Sequence, residues 1–156
     1  MKLNLGSYIY PLKDYWNVDI IKWEGVDQVV DLNKLPWPLT DNSFQVVRAV
    51  DIVEHLGKLT KTEIMGELAR VTRPGGLVII RVPCIKHKWA MSSLQHAHAF
   101  NYNSFEESYV QPWFKQERVS VGLSDNGKDY PLNILTRFLS NFGLVFTLTF
   151  ILRKHG

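Results

Sequence analysis

The forty residues from Phe44 to Pro83 leave little freedom in what this chain folds into. Phe44-Gln-Val-Val-Arg-Ala-Val-Asp51 is a short, Val-rich apolar run ending in a carboxylate, the pattern of a buried strand. Ile52-Val-Glu54-His55-Leu56 follows, and Thr60-Lys-Thr-Glu63 then has the spacing of a capping box, so a helix opens at Thr60. Ile64, Leu68 and Val71 recur at helical spacing and give that helix one buried face. Pro74-Gly75-Gly76 is expected to stop it, and Leu77-Val-Ile-Ile-Arg-Val-Pro83 reads as a second buried strand. Strand, helix and strand in this span form a parallel crossover unit. The carboxylate of Asp51 then falls on the edge where such sheets bind ligands.

Upstream, the same logic places three more strands. Lys2 to Leu5 is the first and central one, with Gly6 at its C-terminal end, where a glycine lets backbone N–H groups approach a ligand closely. Trp16 to Ile20 is the second and ends at Asp19. An acidic group at that place accepts hydrogen bonds from ribose hydroxyls in nucleotide-binding α/β folds, although Asp is also an ordinary turn starter. Val26 to Leu32 is the third, and Pro36-Trp37-Pro38 after it excludes helix. The connections are short: ten residues separate Gly6 from Asn17, and six separate Ile20 from Asp27. A parallel crossover usually spends a dozen or more residues on a helix. Extended chain at ~3.3 Å per residue makes each return without one. The fold class is therefore α/β, a mostly parallel sheet with reduced helices on one face. The thirteen-residue step from Gly6 to Asp19, against about twenty in dinucleotide enzymes, disfavours a nicotinamide dehydrogenase.

Beyond Pro83, Ser104 to Phe114 reads as a short helix, Arg118 to Leu123 as a strand, and Ser124-Asp-Asn-Gly127 as a turn. Leu132, Leu135, Phe138, Leu139 and Phe142 repeat at helical spacing, and Gly143 ends that helix. Leu144 to Arg153 is the final strand. Asp51-Ile-Val-Glu54 also has a cap-like spacing, so both carboxylates have a purely structural reading as helix starters.

Taken in order, these residues resemble a small class I S-adenosylmethionine-dependent methyltransferase. The resemblance rests on Leu3-Asn-Leu-Gly6-Ser7, Asn17-Val-Asp19, Asp31-Leu32, Pro36-Trp-Pro, Asp41-Asn-Ser-Phe44, Glu54-His55-Leu56 and Arg70-Val-Thr-Arg73-Pro-Gly-Gly76, with His96-x-His98-x-Phe100 downstream. It covers most of the chain and is carried by order and spacing rather than by any one motif. It implies a Rossmann-like fold whose last two strands form an antiparallel pair at one edge. It further implies S-adenosylmethionine bound by Gly6, Ser7, Asp19 and Ile20, with Asp31 on the adenine amino group and Leu32 against the ring. A loop Asp and a core Leu remain the alternative for that last pair. The methyl group would lie near Asp51, with His55 as a base and with His96, His98 and Phe100 on the substrate side. The sequence departs from the family where Ser7, Tyr8 and Ile9 replace further glycines, and that departure motivates a rival reading as a non-catalytic binding or assembly module.

Composition narrows the remaining questions. At 156 residues the chain is one domain, able to bury roughly 70% of its extended surface. Its net charge of +3 comes from scattered Lys and Arg, with no nucleic-acid signature. The methyl acceptor is open, with a protein side chain or nucleic acid fitting a shallow site better than a metabolite does. Cys84 is the single cysteine, so no intrachain disulfide forms and a reducing, cytoplasmic setting is expected. One Cys among His87, His96 and His98 lacks the paired spacing of structural zinc sites, so no metal is expected. The longest apolar tract is far short of the ~20 residues that span a bilayer. A sheet face without its helices needs cover, either from the Leu132–Phe142 helix or from a second copy. A homodimer is the preferred answer, with Tyr8, Tyr10, Tyr15, Trp16 and Trp23 as its aromatic contacts.

Overall fold

A computed structural model describes residues 1–88, 90, 93–106, 110–123 and 128–156. The strands are β1 (Lys2–Leu5), β2 (Trp16–Asp19), β3 (Gln28–Val29), β4 (Phe44–Val50), β5 (Thr72–Pro83), β6 (Phe114–Gly122), β7 (Asp129–Pro131) and β8 (Thr147–Lys154). They join into one sheet in the order β3-β2-β1-β4-β5-β8-β6-β7. Pairing is parallel from β3 through β5, and β8 runs antiparallel to both β5 and β6. This is a Rossmann-like α/β sheet with an antiparallel edge, as the sequence implies.

Helix α1 (Lys61–Val71) begins at the expected capping box: Glu63 N donates to Thr60 Oγ1 at 3.2 Å, and Thr60 N donates to Glu63 Oε2 at 2.7 Å. Its end differs from the expectation. Thr72, in extended conformation, terminates it, and its hydroxyl donates back to Leu68 O at 2.6 Å. Pro74-Gly75-Gly76 lies inside β5 instead. The register jumps from Phe44↔Thr72 to Val46↔Leu77, so residues 73–76 bulge out of the strand, with Gly75 at φ +73°.

Asn17 holds the helix-free returns. Its side chain is buried and makes bonds in three directions. Oδ1 accepts from Asn4 Nδ2 at 3.0 Å and from Leu12 N at 2.8 Å. Nδ2 donates to Leu12 O and Tyr15 O, both at 3.0 Å. Its backbone N–H donates to Asp27 Oδ2, which ties in the second connection. Backbone groups that a crossover helix would satisfy internally are satisfied here by one amide.

A second polar hub fixes residues 37–41, which replace the crossover helix before β4. Trp37 N donates to Glu67 Oε2 at 2.8 Å, and Arg70 donates to Glu67, to Leu39 O and to Trp37 O, as well as pairing with Asp41. Burial disfavours the Glu67 charge, but the Arg70 guanidinium and the Trp37 N–H outweigh it and hold the carboxyl below its ordinary pKa.

Three other elements differ from the sequence reading. The third strand shrinks from Val26–Leu32 to Gln28–Val29, because this edge strand pairs only with Val18 and Asp19. The sixth begins at Phe114 and not at Arg118, paired along β8 past a bulge at 117. Helix α2 (Ile134–Asn141) forms where expected but is rotated. It buries Thr136 and Ser140, while Ile134, Leu135, Phe138 and Phe142 are exposed. Its orientation is set by Ser140 Oγ against Cys84 Sγ at 3.5 Å and by Arg137 over the Tyr102 ring. The turn expected at 124–127 and residues 107–109 of the short helix expected over 104–114 lie outside the described residues; Ser104 and Phe105 are in turns.

The sheet has one covered face. Leu3, Leu5, Val47, Ala49, Val78, Ile80, Val82, Leu148 and Phe150 form it, in one core with Ile64, Leu68 and Val71 of α1. Cys84 continues this side, so α2 packs here too and does not cross to the other. On that other face Val46, Val50, Leu77, Ile79 and Ile151 are only half-buried, together with Arg48 and Arg81.

Removing the Asn17 amide would leave part-buried backbone groups of Leu12 and Tyr15 without these partners, at up to about 1–3 kcal/mol for each such group. Asn17→Ala is expected to lower unfolding stability by about 3 kcal/mol in urea titration, and Asn17→Asp, which cannot donate to Leu12 O or Tyr15 O, is expected to destabilise as well.

Candidate functional site

A cleft of about 150 Å³ opens at the C-terminal ends of β1, β2 and β3, where parallel sheets bind ligands. Gly6, Asp19, Ile20, Val30, Asp31, Leu32, Asn33, Ile52, His55 and Leu56 line it. The structure thus brings together Gly6, Asp19, Ile20, Asp31, Leu32 and His55 from the residues expected on sequence grounds. A larger hollow of about 530 Å³ lies beside the start of α1, but the one charged group lining it among the described residues, Lys61, already donates to Ala99 O.

Each lining residue owes its place to local backbone. Gly6 has φ +64°, and a Cβ there would stand 2.7 Å from Ile52 Cγ1. The missing side chain therefore makes room for Ile52 as well as allowing the turn. Tyr8 also has positive φ, +48°, so the loop keeps a glycine-like conformation although the glycine is gone. Its ring meets Tyr10 and Trp23 edge-on, at centroid distances of 6.2 and 5.4 Å. Asp19 is buried; Oδ2 accepts from Tyr8 N at 2.8 Å and Oδ1 from Ile21 N at 3.0 Å. Two backbone donors preorganise it as a carboxylate, with lone pairs remaining for further donors. Ile20 is 60% exposed beside it, an apolar surface facing the cleft. Leu32 is buried, and the Asn33 N–H and the Lys34 ammonium hold the Asp31 carboxyl below its ordinary pKa. Ser7 is buried, and its Oγ has no hydrogen-bond partner.

The remaining expected residues scatter. Asp51, at φ +53°, ion-pairs with Arg81 on the half-covered sheet face and does not line the cleft. Neither it nor Glu54 caps a helix: Ile52 precedes the 3-10 turn Val53–His55 and no side chain caps it. Phe100 is buried, stacked on Phe105 and beneath the Lys61 ammonium, so it belongs to the core. His98 contacts Leu56 O through Nε2 at 3.1 Å. His96 faces His55, their ring centroids 4.8 Å apart.

Glu54 is the residue that sequence reasoning passed over as a site group. It is 1% exposed, its Oε2 has no partner, and burial pushes its carboxyl up to about 8. Burial likewise lowers the His55 pKa, so that imidazole is neutral at pH 7. A buried carboxyl that caps nothing was the available signal, but in Asp51-Ile-Val-Glu54 it is disguised as a cap.

Comparisons with known proteins agree with this geometry. Residues 17–80 match the family model described as a methyltransferase domain. The Haemonchus contortus phosphoethanolamine N-methyltransferase 2, solved with S-adenosyl-L-methionine, is 16% identical, with a TM-score of 0.67 over 99% of this chain and 48% of that one. A Mesorhizobium loti S-adenosylmethionine-dependent methyltransferase is 11% identical, with a TM-score of 0.65 over 97% and 89%. A chain solved in complex with the Haloferax volcanii Trm112 methyltransferase activator is 13% identical, with a TM-score of 0.65 over 99% and 82%. At these identities the structural likeness speaks for the fold. The sequence has no match among curated proteins. No helix among the described residues is long and apolar enough to cross a membrane.

Left-handed backbone costs roughly 1–2 kcal/mol for an L-residue, and overpacking against Ile52 adds about 1–3 kcal/mol. Gly6→Ala is therefore expected to reduce unfolding stability by about 2–5 kcal/mol in thermal or urea denaturation, where an open cradle would have given no loss from the clash.

Proposed function

We propose that this protein is an S-adenosylmethionine-dependent methyltransferase whose cofactor lies in the cleft at the ends of β1, β2 and β3. The observation that carries the reading is Asp19: a buried carboxylate, oriented by two backbone N–H groups, at the end of the second strand and beside the positive-φ Gly6 turn. The residues fit the cofactor. Asp19 has acceptor capacity left for two ribose hydroxyls, Ile20 and Leu32 supply apolar surface for the adenine ring, and Asp31 accepts from its amino group. The unpartnered Ser7 hydroxyl, next to Gly6, is a donor for the cofactor's polar groups. When bound, the cofactor supplies an electrophilic methyl carbon, taken up by an acceptor lone pair as the sulfonium leaves as a neutral thioether.

The chain's own part is alignment. His55 extends from the cleft wall toward the acceptor side, neutral at pH 7 and able to take a proton from an incoming nucleophile. Asp51 pairs with Arg81 on the half-covered sheet face and takes no part in lining the cleft. His96 and His98 come from the segment lying over Glu54 and Leu56 and flank the acceptor's approach. A shallow, open acceptor site would suit a protein side chain or nucleic acid better than a buried metabolite. The half-covered sheet face, with Val46, Val50, Leu77, Ile79 and Ile151, favours a homodimer.

Calorimetric titration tests the cofactor. The protein is expected to bind S-adenosylmethionine and its demethylated product, and not NAD, with a rise in stability of ~2.7 kcal/mol at about 100 times the dissociation constant. Asp19→Ala should remove a charge-assisted bond worth ~1.5–3 kcal/mol and most of that rise. A parent protein that shows no heat and no thermal shift with saturating S-adenosylmethionine would turn the reading over to a non-catalytic binding module. Light scattering on a sizing column tests assembly: twice the chain mass of 18.0 kDa is expected at tens of micromolar, and a monomer mass removes the dimer.

A further inference from the structure

Glu54, His55 and His96 share a corner in which the methyl-transfer reading gives the buried Glu54 no part. One ligand atom from each lies within 4.8 Å of the other two. The local backbone builds this arrangement. The turn Val53–His55 sets Glu54 and His55 side by side, and the Glu54 carbonyl accepts from both Ala97 N, at 2.8 Å, and His98 N, at 3.2 Å. That double bond to one carbonyl draws the 95–98 segment across and stands His96 opposite His55.

The hydrogen bonds of the two imidazoles decide their tautomers. His55 Nδ1 faces Gln95 O at 3.3 Å, and His96 Nδ1 faces Ala90 O at 3.0 Å. A carbonyl oxygen only accepts, so in each neutral ring Nδ1 carries the proton and Nε2 presents a lone pair. Backbone-anchored Nδ1–H with a free Nε2 is the arrangement in which proteins hold metal-binding histidines. The third member is a carboxyl group that is 1% exposed, with one oxygen lacking any partner. A buried polar oxygen without a partner is costly, and a cation that displaces the carboxyl proton is what would satisfy it together with two imidazole lone pairs.

We propose that Glu54, His55 and His96 bind a divalent metal ion of the zinc class. Two imidazole nitrogens and one carboxylate oxygen form a three-ligand set that leaves a coordination position open, as catalytic zinc sites do. With zinc–ligand bonds of ~2.0–2.1 Å, tetrahedral neighbours stand roughly 3.4 Å apart, so the ligand atoms draw in by roughly 1.5 Å at most on binding. His55 also lines the cofactor cleft, which places the open position next to it. An oxygen or sulfur acceptor bound there would lose its proton to solvent more readily, as metal-bound water does. This role, unlike the binding itself, rests on the cofactor reading above, and there the metal replaces His55 as the acidifying group, because it occupies the His55 Nε2 lone pair. It also departs from the expectation of no metal, which weighed Cys84 with His87, His96 and His98; of these only His96 joins the set, while Cys84 lies against Ser140, His87 stacks on Phe146 and His98 contacts Leu56 O.

Zinc alone, without cofactor, tests the site. Chelator-treated protein titrated with zinc chloride in competition with a chromogenic chelator is expected to bind one equivalent and to melt at a higher temperature when loaded. Glu54→Gln, His55→Ala and His96→Ala are each expected to weaken binding at least tenfold, whereas His155→Ala, at the far end of the chain, leaves it unchanged. Circular dichroism and S-adenosylmethionine titration of the same variants report whether they fold and keep the cleft, so loss of zinc with cofactor binding intact isolates the metal site. Cobalt loading gives a second readout, with visible absorption bands of four-coordinate nitrogen and oxygen ligation that disappear in His96→Ala. Binding of less than one equivalent by the parent, or equal affinity in a folded His96→Ala variant, overturns the proposal.

Discussion

Everything at the C-terminal edge of the parallel strands depends on the buried amide of Asn17. Parallel strands need long returns, and the usual return is a helix that satisfies its own backbone. Here ten residues and then six make the two returns, too few for a helix of any length. Loop backbone brought that close to a sheet must find partners or lose its hydrogen bonds to water without compensation. Asn17 supplies them, with both ends of its amide engaged on the first loop and its N–H on Asp27 of the second. The two loops also touch, since a side chain on Gly25 would stand 2.6 Å from Pro11. Gly6, Tyr8 and Asp19 keep their places because this knot holds the chain between them.

The absent helices have a consequence on the opposite side of the sheet as well. A parallel sheet is normally covered on both faces. Here one face packs on α1 and the segment after β5, while the other keeps half-exposed aliphatic residues and the Arg48 and Arg81 guanidiniums. Helix α2 does not relieve this. Its capping box at Asn133 and Thr136 and its contact with Cys84 turn the polar side inward, and its apolar stripe points to solvent. Two apolar surfaces are thus left for other molecules, one flat and one helical.

Tyr8 shows how the turn after β1 tolerates the replacement of the usual glycines. The missing glycines would ordinarily argue against a phosphate- or nucleoside-binding turn. The backbone nevertheless adopts positive φ at Tyr8, and its N–H reaches Asp19. A strained conformation of this kind costs on the order of 1–3 kcal/mol and persists where surrounding contacts over-determine it. The edge contacts of the Tyr8 ring with Tyr10 and Trp23, and the bond to Asp19, are those contacts.

Local patterns were enough to read most of the fold in the sequence. The Val-rich runs, the Thr60–Glu63 capping box and the glycine after the first strand depend on neighbours a few residues away, and each stands where the spacing put it. The same holds for Gly6, Asp19, Asp31 and Leu32, because strand ends in a parallel sheet converge by construction. Periodicity marked the apolar stripe of α2 but could not say which way it faces, since that is set by a bond from Ser140 to a residue 56 positions earlier. Phe100 and Asp51 went to the core and to Arg81 for the same reason: their partners are distant in sequence. Glu54 is the clearest case. Its neighbours in the chain make it look like a cap, and only the folding of residues 95–98 over its carbonyl turns it into a buried carboxylate facing two histidines. Spacing determines which strands form and where they end; burial and long-range hydrogen bonding, which only the tertiary structure supplies, decide what the side chains at those ends can do.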